Sequence, residues 1–154
     1  MVLFVFLVGQ AIMAAGWPDS LSPLGADRRS SPEPWQVMGA VLLGGGVLLL
    51  VTAQLHLGAS WRIGIDEGAS PGLVTSGLYR FCRNPIFLAL LVTLSGYTLM
   101  LPTRLSLGLL LGAYIGVRQQ VAAEEAYLLR TYGESYREYA RRVGRFLPGL
   151  GRFR

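Results

Sequence analysis

The chain has 154 residues, enough for one domain, and 52% of them are apolar while only 15% are charged. An ordinary soluble surface needs about a quarter charged residues, so the composition excludes a conventional water-soluble domain and points to an integral membrane protein. The net charge of +5 comes from arginines alone, and these crowd into loops and tail without a stripe of interleaved aromatics, which excludes nucleic-acid binding.

Taken in chain order, Met1 to Ala15 is apolar but shorter than the roughly 20 residues a spanning helix needs. It lacks the basic start of a secretory signal. It reads as a first span continuing to about Trp17, or as the remnant of a span whose natural start lies a little upstream. Pro18 to Pro34 is a loop rich in Pro, Ser and Asp. Trp35 to His56 is the clearest span, with Gly44-Gly45-Gly46 at mid-depth, where small residues let another helix approach. Residues 1–56 thus supply two N-terminal spans.

Residues 57–148 hold a catalytic loop, a helical hairpin and C-terminal helices, and the whole of 1–154 reads as one domain. The long loop from Leu57 to Asn84 carries Ser60-Trp61-Arg62 and the acidic pair Asp66-Glu67. Pro85 opens a third helix at its first turn, where a proline costs nothing, and the helix runs to about Leu101. Pro102 and Thr103 turn the chain, and Leu105 to Val117 begins a fourth helix antiparallel to the third. Arg118, Gln119 and Gln120 end the apolar run, but nothing breaks the helix until near Gly133. An amphipathic segment, Glu134 to Val143, precedes Pro148 and a Gly/Arg-rich tail. The expected fold is an all-α membrane protein with about four transmembrane helices and a cytoplasmic helical C-terminal extension.

Orientation follows from the arginines. With four spans, one side holds Arg62, Arg80, Arg83 and the eight from Arg118 to Arg154; the other holds Arg28, Arg29 and Arg104. Eleven against three puts the long loop and the tail in the cytoplasm.

The hairpin brings two polar elements back to the same interface, about 8–10 Å apart. One is the loop Tyr79-Arg80-Phe81-Cys82-Arg83-Asn84-Pro85-Ile86-Phe87. The other is Glu124-Glu125, where the fourth helix leaves the apolar run. Adjacent helix residues point about 100° apart, so at most one of the two glutamates faces the partner helix. Cys82 is the lone cysteine, which rules out an intrachain disulfide and a Cys-based metal cluster, and no metal site is expected. His56, the one histidine, ends a membrane helix and reads as interfacial.

Leu73-Val74-Thr75-Ser76-Gly77-Leu78-Tyr79-Arg80, Arg83-Asn84-Pro85-Ile86-Phe87, Glu124-Glu125 and Tyr132-Gly133-Glu134-Ser135-Tyr136-Arg137-Glu138-Tyr139, followed by Arg145 and Pro148, occur in an order and spacing that carry a resemblance. From about Ser60 to Pro148 the chain resembles the integral membrane methyltransferases of the isoprenylcysteine carboxyl methyltransferase and phospholipid methyltransferase superfamily. The family pattern usually reads Arg-His-Pro with a Tyr two residues on; here Asn84 replaces the His and Phe87 the Tyr. Asparagine keeps a hydrogen-bonding tip but cannot shuttle a proton near neutral pH.

The resemblance implies S-adenosylmethionine as methyl donor. It places Tyr79, Arg83, Asn84, Pro85, Phe87, Glu124, Glu125 and Tyr136 at the cofactor and Arg83, Asn84 and Glu124 in the catalytic set. Arg83 would pair with the donor's carboxylate, Glu124 or Glu125 with its ammonium or ribose, and Tyr79, Tyr127 or Tyr136 with its adenine. Trp61-Arg62 would lie near the cofactor entrance, and Arg142 or Arg145 would orient an acidic acceptor. No glycine-rich turn follows a strand, so the soluble dinucleotide-type pocket is absent.

The acceptor is expected to be lipophilic, a carboxylate or thiol, with room for it opened by Gly96 and Gly44–Gly46. The expected setting is the cell membrane, multi-pass, with the cofactor site cytoplasmic. Two competing functions are an NADPH-dependent reductase of the steroid-reductase-like group, whose chains are generally longer, and a non-catalytic membrane scaffold, motivated by Asn84 and Phe87. The sequence names neither the acceptor nor an oligomeric state.

Overall fold

The computed structural model describes residues 33–57 and 72–153, and among these every regular element is helical. Helix α1 is Pro34–Leu57, a 3-10 turn covers Gly77–Arg80, α2 is Pro85–Met100 and α3 is Arg104–Arg142. The all-α expectation holds for the described residues. The first apolar segment, Ser60-Trp61-Arg62 and Asp66-Glu67 lie outside them.

Local chemistry explains each boundary. At the start of α1, Pro34 occupies the first turn, and the Gln36 side chain accepts the Glu33 N–H at 2.9 Å, half of a capping box. Its 24 residues span about 36 Å, and it is the one described helix long and apolar enough to cross a membrane. Val37, Met38, Val41, Leu48, Val51 and Leu55 stand exposed along it, an apolar surface suited to lipid. The shorter apolar helix α2 has 16 residues.

The turn into α3 is capped reciprocally. Ser106 N–H donates to Thr103 Oγ1 and Thr103 N–H to Ser106 Oγ, both at 3.0 Å, and the Ser106 hydroxyl donates to Leu101 O at 2.6 Å. Thr103 as N-cap starts α3 at Arg104, one residue before the expected Leu105. Gly133, at φ 53° and ψ −122°, interrupts the helix where the sequence predicts a break. The segment beyond it is amphipathic as expected, with Tyr136, Tyr139 and Ala140 buried and Glu134, Arg137 and Arg141 exposed.

The chain divides into two compact units. One joins Met1–Gly46 with Leu91–Val117, and in its described part α1 and α2 cross through glycines. A Cβ on Gly39 would lie 2.7 Å from Gly96 O, one on Gly46 would lie 2.5 Å from Thr93 Oγ1, and one on Gly96 would strike Leu43 N. Gly96 is therefore filled by the backbone of α1 and offers no room to an acceptor there. Of the Gly44–Gly46 cluster only Gly46 serves the crossing, while Gly44 and Gly45 face open space.

The other unit joins Val47–Leu90 with Arg118–Arg154. Its core is Tyr136, Tyr139, Ala140 and Val143, packed with Leu73, Leu128, Leu129, Tyr132 and Phe153. The loop, the Glu-Glu helix end and the C-terminal tail all belong to this unit.

Candidate functional site

The loop reaches the site through a forced turn. Gly77 sits at φ +59°, and a Cβ there would lie 2.6 Å from His56 Cδ2, so the ring at the end of α1 fixes a glycine. Tyr79, buried two residues later, has its carbonyl bonded by the Tyr139 hydroxyl at 2.6 Å. The chain then pairs with the tail as a short parallel bridge, Cys82 with Gly144. Arg83 N–H donates to Gly144 O at 2.9 Å and Asn84 N–H to Arg145 O at 3.2 Å. Asn84 O accepts the Leu88 N–H at 3.0 Å as Pro85 opens α2.

Arg83 is the centre of this arrangement. Its side chain is 1% exposed. Nε donates to Glu125 Oε1 at 3.2 Å, and Nη2 to Glu125 Oε1 at 2.8 Å and Gly151 O at 3.0 Å. Nη1 donates to Ala140 O at 2.8 Å and Val143 O at 2.7 Å. A guanidinium has five N–H groups, and all are used. In this conformation Arg83 keeps none for a ligand carboxylate, the role expected of it; it ties loop, α3 and tail together.

Glu125 bridges two arginines. Arg145 Nε donates to its Oε1 at 3.1 Å and Nη2 to its Oε2 at 2.6 Å, with the Arg145 side chain 38% exposed. Arg145 thus serves the buried network and is not merely a surface charge. Asn84 donates Nδ2 to Arg145 O at 3.2 Å, so the amide expected in the catalytic set holds the tail.

Glu124 points elsewhere, as the 100° offset between neighbours requires. It is half-buried and accepts from Gln120 Nε2 at 3.3 Å. Burial raises its pKa above the usual carboxylate value, and the Gln120 bond only partly opposes this. Tyr79 is also pushed up, first by burial and then by the charge of Glu124, which places carboxylate and phenol in one electrostatic neighbourhood. Pro85 is buried and Phe87 half-buried on the first turn of α2. Tyr136, expected against adenine, is buried with its ring edge-on to Tyr139 (6.2 Å) and Phe153 (6.1 Å).

Cys82 is buried, with Sγ 3.5 Å from Arg145 O. Burial pushes the thiol up to about 11, against the pull of the Asn84 backbone bond and the Arg83 charge. A buried thiol held in its neutral form is a poor nucleophile, so at pH 8 iodoacetamide should label folded protein on the order of 100-fold more slowly than denatured protein. Equal rates in the two states, read by mass spectrometry, would contradict this environment.

Sequence reasoning brought Arg83 and the Glu-Glu pair together but missed Ala140 O, Val143 O, Gly144 O and Gly151 O. Backbone carbonyls have no residue signature, so no signal existed for them. Phe153, whose ring lies 5.2 Å under the Arg83 guanidinium, was also missed.

Comparison with known proteins agrees with this architecture. Methanethiol S-methyltransferase 1 of Bradyrhizobium diazoefficiens is 33% identical over 94 residues, covering 61% of this chain and 32% of that protein. Protein-S-isoprenylcysteine O-methyltransferase of Xenopus laevis is 29% identical over 115 residues, covering 73% of this chain and 40% of that protein. The chain therefore spans well under half the length of these curated relatives. The fold matches the solved eukaryotic intramembrane Ras methyltransferase, isoprenylcysteine carboxyl methyltransferase, with a TM-score of 0.71 at 20% identity, covering 99% of this chain and 53% of that one. The phospholipid methyltransferase family model matches residues 35–135, well over half the sequence, and the chain belongs to that family.

Proposed function

We propose that the chain carries out S-adenosylmethionine-dependent methyl transfer to a lipophilic acceptor, a carboxylate or thiol, at the cytoplasmic face of the cell membrane. One observation supports it above the others: Glu124 is a half-buried carboxylate whose described hydrogen-bond partner is the neutral Gln120, while its neighbour Glu125 is saturated by two arginines. A desolvated carboxylate without a cation is costly, and a cationic ligand relieves it. The donor fits, having an ammonium group and a sulfonium.

When bound, the donor supplies an electrophilic methyl group. Glu124 would hold its cationic end, with Tyr79 beside that carboxylate and Pro85 and Phe87 lining the first turn of α2. Arg83, Asn84 and Glu125 would position these walls instead of touching the ligand. Because Asn84 is engaged with Arg145 O and cannot act as a base, the acceptor should arrive already anionic. A carboxylate or thiolate meets that need, and its displacement chemistry requires alignment and dry surroundings more than proton removal. The arginine asymmetry supports a four-span arrangement with this unit in the cytoplasm.

Purified in detergent, the protein should bind S-adenosylmethionine, and Glu124→Gln should weaken binding tenfold or more by calorimetry. The interaction needs ionised Glu124, whose pKa is raised by burial. Affinity should therefore fall as pH drops through that raised value, sooner than an exposed glutamate would allow, and Glu124→Gln should remove the pH dependence. Preferential binding of NADPH, or of neither ligand, would overturn the proposal.

A further inference from the structure

The Arg83–Glu125–Arg145 network sets two guanidiniums against one carboxylate. It therefore has one uncompensated positive charge. Arg83 has no donor left, but Arg145 gives only Nε and Nη2 to Glu125, which leaves Nη1 without an acceptor among the described residues. Against this network lies Tyr136, 1% exposed, whose buried hydroxyl has no acceptor for its proton among the described residues. Phe153 links the two, since it packs under Arg83 and edge-on to Tyr136.

The neighbouring guanidinium does not satisfy the phenol, because a guanidinium has only donors and the phenol's own proton still lacks an acceptor. An unpaired buried hydroxyl is expensive, and native proteins keep few. Burial, helped by the charge of Glu125, holds this phenol protonated against the charges of Arg83 and Arg145 and the approach of the Arg83 guanidinium, its pKa pushed up to about 12. It is a permanent donor at physiological pH.

We infer that Tyr136 Oη and Arg145 Nη1 form a carboxylate-binding subsite, closed over by the C-terminal tail from Gly144 to Phe153. Excess positive charge and an unused buried donor together select an anion with acceptor oxygens. The tail docks through Phe153 N–H to Ala140 O (3.0 Å), Arg145 N–H to Leu150 O (2.8 Å) and Arg83 Nη2 to Gly151 O (3.0 Å). Admission of a carboxylate to the covered hydroxyl requires this tail to lift and re-close. Two sources have the right chemistry: the amino-acid end of the methyl donor and the acid group of the acceptor. The inference rests on the proposed methyl transfer for its ligands, though not for the subsite's geometry.

Tyr136→Phe removes the hydroxyl without leaving a cavity and should keep or raise thermal stability. Binding of S-adenosylhomocysteine and of its carboxamide is measured by calorimetry on wild type and variant, with steady-state kinetics on an S-prenylated cysteine bearing a free carboxylate. About tenfold weaker binding of the acid in the variant, with the carboxamide unaffected, assigns the subsite to the donor. Unchanged donor binding with a tenfold higher KM for the prenylated acid and a steadier kcat assigns it to the acceptor. If wild type binds S-adenosylhomocysteine and the variant alters neither quantity, the subsite is wrong. If wild type binds no S-adenosylhomocysteine, the donor reading fails, and acetate then decides the subsite. Thermal protection by acetate that Tyr136→Phe abolishes supports it, and equal response of both proteins overturns it.

Discussion

Arg83→Ala is expected to lower the unfolding free energy by about 3–5 kcal/mol, the cost of breaking a buried ion pair by removing one partner. In a chain of this size that corresponds to a fall on the order of 10 °C in the melting temperature in detergent. The cause is specific. The substitution leaves Ala140 O, Val143 O and Gly151 O without their side-chain donor and Glu125 with Arg145 as its one arginine. The tail then loses its anchor. Limited proteolysis should cut beyond residue 143 faster, and Cys82, bonded to the same stretch through Arg145 O, should become open to alkylation. Arg83→Lys should rescue little, because an ammonium cannot serve acceptors spread across a planar fork. A stable, protease-resistant Arg83→Ala protein would refute the anchoring role.

Gly96→Val should be comparably damaging for a steric reason. Even a Cβ at this position would meet Leu43 N, Leu43 Cα and Gly39 O, all backbone or backbone-adjacent atoms that cannot rotate away. Helices α1 and α2 would have to separate along the crossing that includes Gly39 and Gly46, and overpacking of this kind costs about 1–3 kcal/mol or more. The expected outcome is loss of the monodisperse peak in size-exclusion chromatography or a large drop in melting temperature. Gly112→Ala is the control: it faces open space on α3, and alanine is the better helix former by about 1 kcal/mol, so it should be neutral or mildly stabilising. Equal behaviour of the two variants would show that the crossing does not depend on glycine.

Much of the fold could be read from the sequence because long apolar runs and prolines mark helices strongly. The expected Trp35–His56 span lies within one residue of α1 at each end, and the break falls at Gly133 as anticipated. The pairing of loop and Glu-Glu helix end also followed from simple topology, since a hairpin returns its two ends together. What could not be read is which glutamate does what. Adjacent identical residues differ only in helical phase, and phase is set by packing, which turned Glu125 towards Arg83 and left Glu124 half-buried. Arg145 was expected to orient an acidic acceptor, and its pairing with Glu125 had no local signal because the two lie twenty residues apart. Gly39 was overlooked in an apolar run where the Gly44–Gly46 cluster was more conspicuous, yet it is Gly39 that meets α2 beside Gly96.

The reciprocal cap at the hairpin turn has a consequence for how the chain meets a bilayer. At 1.5 Å per residue the 16 residues of α2 reach only about 24 Å, short of a hydrocarbon layer of about 30 Å. A turn held within such a layer would have little water to satisfy its amides. Thr103 and Ser106 supply those partners from within the chain, and Ser106 also bonds Leu101 O. The turn can therefore sit in dry surroundings without leaving its first amides unpaired. A turn closed by its own hydroxyl groups keeps its geometry whether water or lipid surrounds it.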